Sequence, residues 1–319
     1  MKNISTNARF GDGDFLIAEA DESDRSFLHL QASLAVVTNI SLEHLDVYKD
    51  LDDIKETFKQ FLNNLPFYGK AIVCIDDPNV RSLLPINHLK IVKYGLEERA
   101  DFYATDLVLH PNHSTFTVWH HTAEKPLGPV HLNMPGRHNV LNALAAIALA
   151  HDLEVPFEVI SNALHSFKGV ERRFSFKGLY HGAEIFDDYG HHPKEIEATL
   201  LVAKNRSKKD LIVLFQPHRF TRTHKLWDQF IDMFMRNNTI KHLIITDVHA
   251  ASEAPIPEIT SQNLVKALQQ KNPSFCVSYA PLESDFKSIA NLLEKIVAPD
   301  DLILLQGAGK INKFADKLS

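Results

Sequence analysis

The stretch Glu184–Ile196, EIFDDYGHHPKEI, passes from a short apolar run through a polar turn into a run typical of a helix. Glu184–Phe186 predicts a β-strand, and Pro193–Lys204 predicts the helix after it. The same alternation continues to the end of the chain and favours parallel α/β layers. Further strands are predicted at Leu211–Phe215, His242–Thr246, Phe275–Tyr279 and Asp301–Leu305, and further helices at Thr223–Met235, Ser261–Leu268 and Ser284–Ile296. We therefore expect a Rossmann-like doubly wound domain over residues 171–319.

The first half of the chain has a similar rhythm with one interruption. Residues 101–135 contain short β-prone runs between turn residues, which indicates an antiparallel insertion in a mostly parallel sheet. Lys168–Arg173 resembles a linker, so we expect a separate domain over residues 1–170. The predicted strands are Phe15–Ala20, Leu34–Thr38, Ala71–Ile75 and Lys90–Tyr94, and the predicted helices are Leu51–Leu65, Val140–His151 and Phe157–Phe167.

Composition excludes several classes of protein. The net charge of -6 and the pI of about 6.3 argue against a general nucleic-acid surface, which usually carries a basic excess. The sequence contains no apolar run long enough for a membrane span, so we expect no membrane insertion. Cys74 and Cys276 lie in apolar runs, and we expect buried thiols in a reducing, cytoplasmic compartment.

Ligands of open α/β sheets bind at the carboxyl ends of strands, so polar clusters there are the candidate sites. The cluster Glu19–Asp24 has four acidic residues in six, and hard oxygen ligands suit Mg²⁺. An acidic helix start capped by Ser23 or Asp24 is the alternative. The next cluster, Thr38–Asp46, would bring His44 and Asp46 near Glu19, or would be a solvated loop.

Two more clusters contain cations. Pro135–Asn142 opens a helix with a glycine, an arginine and free N–H groups, which suits an anion or a base edge. A helix start capped by Asn139 is equally compatible with it. Val170–Phe174 contains an arginine pair, which can bind phosphate, although most surface arginine pairs are merely solvated.

The last clusters follow the strands of the second half. Asp187–Pro193 follows one strand, and Gln216–Thr223 follows the next. His218, Arg219 and Arg222 form a dense cationic group that can hold a carboxylate. Gln306–Gly309 is a glycine turn that permits close approach of a ligand, or an ordinary strand-to-helix turn.

Taken in order, these clusters resemble the Mur ligase family. The combination of DDYGHHP with QPHRFTRT is very specific and favours the alanine-adding members. The matching stretches are FLIAEADESDRSFLHLQ, VVTNISLEHLDVY, FLNNLPFYGKAIVCIDDP, MPGRHNVLNALAAIALA, GVERRF, DDYGHHPKEI, FQPHRFTRT, DVHAASEAPI and LLQGAG.

The resemblance implies an ATP-dependent ligase of peptidoglycan synthesis, with domains for a uridine nucleotide sugar, for ATP and for an amino acid. Its small-molecule partners would be UDP-N-acetylmuramate, L-alanine and ATP. The muramoyl carboxylate becomes an acyl phosphate, and the alanine amine then attacks it, giving an amide, ADP and phosphate. Cations must neutralise the charge that develops as the two anions meet.

The resemblance also implies roles for individual residues. Glu19 and His44 would hold Mg²⁺, and Arg172 or Arg173 would contact the ATP phosphates. The remaining nucleotide contacts would be His138, Asn139, Asn142 and Asp188. The alanine and muramoyl side would be lined by Tyr189, His191, His218, Arg219 and Arg222. Its catalytic residues would be Glu19, His44, Arg173, His191 and Arg219.

The sequence departs from the family pattern in two places. Glu43 precedes the metal-binding histidine where the family usually has Asp, which we expect to be tolerated. No G-x-x-x-x-G-K-[ST] phosphate loop is present, because Gly69-Lys70 and Gly309-Lys310 lack the hydroxyl residue that would follow. We therefore expect a fragment that is inactive alone, and a separate chain could supply the rest.

Two alternatives stay open at this point. One is a non-catalytic module that binds an amino acid or a peptide. The other is a metal hydrolase built from Asp187, Asp188, His191 and His192, although no HExxH or similar motif supports it.

Overall fold

The computed structural model describes residues 11–44, 47–96 and 100–317. The chain divides into two compact units, Met1–Gly169 and Val170–Ser319. Each unit is built on a six-stranded β-sheet of its own. Within the described residues, every helix is too short or too polar to cross a membrane.

The sheet of the first unit is parallel on one side and antiparallel on the other. Its strands lie side by side in chain order, and the pairs from β1 to β4 are parallel. The pairs β4–β5 and β5–β6 are antiparallel, so the predicted insertion is confirmed. The strands are β1 (Leu34–Val37), β2 (Lys70–Cys74), β3 (Lys90–Gly95), β4 (Phe102–Leu109), β5 (Ser114–His120) and β6 (Gly128–Leu132).

Helices cover both faces of this sheet. Successive side chains of a strand point to opposite faces, and β2 shows the result. Ala71 and Val73 are buried in a core that includes α1, whereas Ile72 and Cys74 are buried in a second core with α3. The helical segments are a 3-10 helix at Ser26–His29, then α1 (Leu51–Asn63), α2 (Pro78–Arg81), α3 (Arg137–Asp152) and α4 (Phe157–Ser166).

The second unit is the predicted doubly wound domain. Its strand order is β11-β10-β9-β12-β8-β7, and all neighbours are parallel except β7 with β8. Every residue of the central strands β9 and β12 is buried. The strands are β7 (Ser175–Tyr180), β8 (Ala183–Asp188), β9 (Leu211–Phe215), β10 (Ile240–Ile245), β11 (Val277–Tyr279) and β12 (Leu302–Gln306).

The helices of the second unit also form two layers. Leu211, Val213 and Phe215 of β9 pack in a core with α5, α7 and α8, while Ile212 and Leu214 face a core with α9 and α10. The helices are α5 (Pro193–Arg206), α6 (Phe220–Lys225), α7 (Trp227–Arg236), α8 (Ser261–Lys271), α9 (Lys287–Ile296), a 3-10 helix at Lys310–Asn312 and α10 (Lys313–Asp316).

The prediction of a strand at Phe15–Ala20 is wrong. The segment is irregular and pairs with no strand of the described residues. Phe15, Leu16 and Ile17 are 62%, 94% and 87% exposed. An apolar run becomes a strand only where a neighbour takes its backbone hydrogen bonds and covers its side chains.

Three smaller differences follow from local packing. The helix predicted at Thr223–Met235 is two helices, because the backbone leaves helical geometry at Leu226 (φ -107°, ψ 16°). The strand β7 is additional, and its largely exposed side chains give little apolar pattern. Cys276 is exposed rather than buried, because it precedes β11, whereas Cys74 is buried as expected.

Candidate active site

The acidic loops of the first unit meet around one histidine. His44 Nε2 lies 3.0 Å from Oε1 of Glu22 and 3.8 Å from the carboxylate of Glu43. The Tyr48 hydroxyl donates to the backbone oxygen of Glu22 at 2.6 Å, which fixes the acidic loop beside the loop of His44. The hydrogen bond from His44 lowers the pKa of Glu22 below its ordinary value.

We call Glu22, Glu43 and His44 the metal-ligand group, because their ligand atoms all lie within 4.8 Å of one another. Two carboxylates and one imidazole, partly shielded from solvent, fit a hard divalent cation such as Mg²⁺. Glu19, the carboxylate that the sequence favoured, is exposed and is not a member of this group. Asp46 lies outside the described residues.

Two polar side chains at the start of α3 already hydrogen-bond to other parts of the protein. Asn139 donates from its side-chain amide to the backbone oxygen of Pro135 at 2.7 Å. Arg137 donates to Asp76, which follows β2, at 3.1 Å. His138 and Asn142 are exposed, so the helix start presents these two side chains to solvent.

The two arginines of the predicted linker differ sharply. Arg172 donates to the buried Asp187 at 3.2 Å and to the backbone oxygens of Gly307 and Ala308, and it stacks over the ring of Tyr189. Burial raises the pKa of Asp187, and the charge of Arg172 opposes that effect. Arg173 is exposed.

Asp188 is a buried anchor. It is 4% exposed and its carboxylate accepts four hydrogen bonds. Oδ2 accepts the N–H of Phe174 at 2.9 Å. Oδ1 accepts from the backbone of Gly190 at 2.8 Å, and from Thr199 Oγ1 and Gln306 Nε2 at 3.0 Å each. The carboxylate therefore ties the ends of β8 and β12 to α5 and to the linker.

Cationic and imidazole side chains converge at the carboxyl edge of the second sheet. His191 follows β8, the segment His218–Arg222 follows β9, and His249 follows β10. The ring of His218 lies 5.5 Å from that of His191 and 5.4 Å from that of His249. We call this set the histidine–arginine group; its members are His191, His218, Arg219, Arg222 and His249.

The histidines of this group are held neutral. Burial, followed by the charges of His191, Arg222, His249 and Arg219, lowers the pKa of His218 to about 3. Arg222 therefore donates to Nδ1 of a neutral ring, at 3.0 Å. Burial, with the charges of Arg222 and Arg173, also lowers the pKa of His191.

Two glutamates, Glu195 and Glu253, contact residues of the histidine–arginine group and its neighbours. Glu195 lies 3.7 Å from Nδ1 of His191 and accepts the N–H of that residue at 2.9 Å. Glu253 accepts from the backbone and hydroxyl of Thr221 at 3.1 and 2.7 Å, and lies 4.0 Å from Arg219. The structure thus brings together His191, His218, Arg219 and Arg222. The sequence predicted these residues to line one side of the site together with Tyr189, which is 39% exposed.

Sequence reasoning missed Glu22 as the partner of His44, and it missed His249, Glu195 and Glu253. Glu195 could have been found, since it is the third residue of α5 and completes a capping box with His192, the residue that caps the start of that helix. His249 lies in the quoted stretch DVHAASEAPI, but only the parallel bridge to His218 shows its position.

Two family models match the chain in succession. The Mur ligase middle domain matches residues 3–150, and the Mur ligase glutamate ligase domain matches residues 172–309. The UDP-N-acetylmuramate–L-alanine ligase of Syntrophotalea carbinolica is 44% identical over 322 residues, which cover 100% of this chain and 68% of that protein.

Solved structures show the same fold. The UDP-N-acetylmuramate–alanine ligase MurC of Thermotoga maritima matches 94% of this chain and 61% of its own, with a TM-score of 0.70 and 23% identity. The MurF ligase of the same organism, solved in complex with ADP, matches 90% of this chain and 62% of its own, with a TM-score of 0.66 and 19% identity. The chain thus spans about two thirds of its curated relative, and it belongs to the Mur ligase family, among the UDP-N-acetylmuramate–L-alanine ligases.

Proposed function

We propose that this chain provides the metal, nucleotide and amino-acid contacts of an ATP-dependent ligase that joins L-alanine to UDP-N-acetylmuramate through an acyl phosphate. The observation that carries the proposal is the histidine–arginine group, which gathers cations and neutral imidazoles at the carboxyl edge of a doubly wound sheet. Its substrates are small molecules of the cytoplasm, and a separate chain could supply the phosphate loop that this sequence lacks.

Arg219 and Arg222 are our candidates for holding the carboxylate of L-alanine. Guanidinium groups bind carboxylates with charge-assisted, often bidentate hydrogen bonds. The neutral His218 accepts from Arg222 and thereby orients it. Glu253, beside Arg219, orients the second guanidinium.

His191 is our candidate for accepting the proton of the alanine ammonium. Its Nδ1 lies 3.3 Å from the backbone oxygen of Tyr189, and a carbonyl oxygen only accepts, so Nδ1 carries the hydrogen. Nε2 then bears a lone pair. Because the pKa of the ring is lowered, this nitrogen is unprotonated at neutral pH and can take a proton. The freed amine then attacks the acyl carbon, the amide bond forms and phosphate leaves.

Mg²⁺ would be held by the metal-ligand group, with Glu19 as the further ligand that the family resemblance suggests. The ion supplies charge neutralisation for the phosphates. Of the arginine pair, Arg173 is our candidate for the phosphate contact, because the guanidinium of Arg172 already bonds Asp187 and two backbone oxygens. His138 and Asn142 are candidates for adenine and ribose.

Asn139 and Asp188 have weaker support as nucleotide contacts. The amide of Asn139 donates to its own helix start, and Asp188 is buried among four donors. We propose that both residues position their neighbours.

The test is phosphate release from ATP in the presence of UDP-N-acetylmuramate, L-alanine and Mg²⁺. The 319-residue chain should show no turnover, because no backbone cradle or lysine is present for the ATP phosphates. A chimera that adds the unmatched segments of the S. carbinolica ligase should release phosphate only when both substrates are present. Turnover by the chain alone, or a folded chimera that ignores L-alanine, would overturn the proposal.

The second candidate is a non-catalytic module that binds an amino acid or a peptide. The structure brings the members of the histidine–arginine group together, whereas the phosphate-loop motif is absent from the sequence. Calorimetry of the chain with L-alanine separates the two. Binding that disappears in an Arg219→Ala, Arg222→Ala double variant, together with an inactive chimera, would favour the module.

A further inference from the structure

The turn from Glu22 to Arg25 carries one carboxylate of the metal-ligand group, and it lies outside the helices and strands of the described residues. A backbone hydrogen bond closes the turn, from the N–H of Arg25 to the oxygen of Glu22 at 3.2 Å. The carboxylate of Glu22 meets His44 at 3.0 Å. The geometry of this contact therefore depends on the side chains that hold the turn in place.

Tyr48 is the first of these side chains. It is 2% exposed, and its hydroxyl donates to the backbone oxygen of Glu22 at 2.6 Å. Its own N–H donates to the backbone oxygen of His44 at 2.8 Å. Tyr48 thus bonds to the backbones of the two residues whose side chains meet in the metal-ligand group.

Arg25 is the second of these side chains. Its guanidinium lies over the ring of Tyr48, 4.6 Å from the centroid, and donates to Oδ2 of Asp53 in the first turn of α1. The same oxygen accepts the N–H of Lys49 at 3.0 Å, so Asp53 ties Arg25 to the segment that follows Tyr48. Stacking on a ring and pairing with a carboxylate together hold an arginine in one geometry.

The backbone of Arg25 is in the left-handed region, with φ 64° and ψ 9°. A residue other than glycine adopts this conformation at a cost, and it persists where the surrounding contacts impose it. A purely structural tie could attach anywhere along the acidic loop. The two ties instead attach at Glu22 and at the residue that closes its turn, and one of them also bonds to His44.

We propose that Tyr48 and Arg25 are positioning residues for the metal-ligand group, and that they raise its affinity for Mg²⁺ by setting Glu22 against His44. The groups that hold a metal ligand from behind affect metal affinity almost as strongly as the ligands do. Mg²⁺ is sensitive to this placement, because it demands near-ideal geometry of its oxygen ligands. This inference rests on the proposed Mg²⁺ site.

The test is titration of the 319-residue chain with Mn²⁺, followed by the electron paramagnetic resonance signal of the free ion. Mn²⁺ prefers the same oxygen ligands as Mg²⁺. Tyr48→Phe removes one hydroxyl and keeps the buried ring, and it should weaken Mn²⁺ binding about tenfold. Tyr68→Phe is the matched control, because it removes the same atom from a side chain that is 65% exposed. The control should bind Mn²⁺ within about twofold of the wild type.

Two variants of Arg25 keep the test decisive if Tyr48→Phe fails to fold. Arg25→Ala removes the guanidinium and should weaken Mn²⁺ binding about tenfold. Arg25→Lys keeps a cation beside Asp53 and should restore the affinity to within about threefold of the wild type. Circular dichroism without metal verifies the fold of each variant. A loss of Mn²⁺ affinity in a folded variant distinguishes positioning of the ligands from general support of the loop.

Glu22→Gln separates this inference from the proposed site. Mn²⁺ binding that is absent in the wild type, or that survives in Glu22→Gln, would overturn the metal-ligand group and this inference with it. Mn²⁺ binding that Glu22→Gln abolishes, but that Arg25→Ala and a folded Tyr48→Phe retain at wild-type affinity, would overturn the inference alone.

Discussion

Replacing Asp188 with Asn tests whether this residue is a buried anchor or a nucleotide contact. The amide keeps one oxygen and gains an NH₂ group. Four donors surround the carboxylate, so in either orientation of the amide at least one donor faces another donor. The least costly orientation places the NH₂ group towards the N–H of Phe174, and Oδ1 keeps its three partners.

The magnitude follows from that geometry. A buried donor left without an acceptor costs about 1–3 kcal/mol, and hydrogen bonds to a charged group are worth more than neutral ones. We therefore expect Asp188→Asn to destabilise the second unit by about 2–3 kcal/mol. For a unit of this size that is a fall in Tm of about 5–10 °C.

The assay can isolate the second unit because the sequence contains two tryptophans, Trp119 and Trp227. Trp227 packs against the core of the second unit. Thermal melting followed by its fluorescence in a Trp119→Phe background therefore reports on that unit. Asp300→Asn is the matched control, because its side chain is 65% exposed, and we expect a change below about 0.5 kcal/mol.

An Asp188→Asn variant that melts within about 1 °C of the wild-type protein would contradict the role of Asp188 as a buried anchor. Unchanged stability together with lost ATP affinity in the chimera would instead establish Asp188 as a direct nucleotide contact.

Three further predictions concern single side chains. Gly309→Ala should destabilise the second unit by about 1–3 kcal/mol in urea titrations, because its Cβ would lie 2.3 Å from Oε1 of the buried Gln216, and a wild-type midpoint would contradict this. Between pH 6.5 and about 3 the unfolded chain protonates His218 and the folded one does not, so stability falls as pH falls. His218→Gln should remove this pH dependence, so the free energy of unfolding lost between pH 7 and pH 4 should be smaller by about 2–3 kcal/mol in that variant. Parallel pH profiles of the variant and the wild type would contradict this. Arg172→Ala should lower Tm because Asp187 loses its cationic partner. Arg173→Ala should leave Tm unchanged and raise the KM for ATP in the chimera. The reverse pattern would exchange the roles of the two arginines.

The central strands of the second sheet could be predicted because they are buried on both faces. Leu211–Phe215 is apolar throughout, and the structure places a strand with those bounds. The apolar run at Phe15–Ala20 looks similar in sequence, but it pairs with no strand of the described residues. Whether such a run forms a strand depends on a neighbouring strand that pairs with it. The half-exposed β7 was not predicted, since an edge strand needs little apolar sequence.

The candidate site was predictable in its composition but less so in its pairings. The motifs identified His44, His191 and His218, because polar clusters after strands mark the edge where ligands bind. Which carboxylate meets His44 depends on the path of an irregular loop, and the structure brings Glu22 there rather than Glu19. Likewise, only the contacts of Arg172 distinguish its structural role from that of its neighbour.

We propose above all that the histidine–arginine group binds the carboxylate of L-alanine. Its most direct test is the pair of KM values for L-alanine and for ATP in the chimera carrying Arg222→Gln. Loss of a charge-assisted contact costs about 1.5–3 kcal/mol, so the KM for L-alanine should rise about 10–100-fold while the KM for ATP changes less than about twofold.

Arg236→Gln is the control for this measurement, because Arg236 is exposed and lies 3.8 Å from its carboxylate partner Glu197. It should leave both KM values unchanged. An unchanged KM for L-alanine in Arg222→Gln, or an equal rise in both KM values, would contradict the assignment of this group to the amino acid.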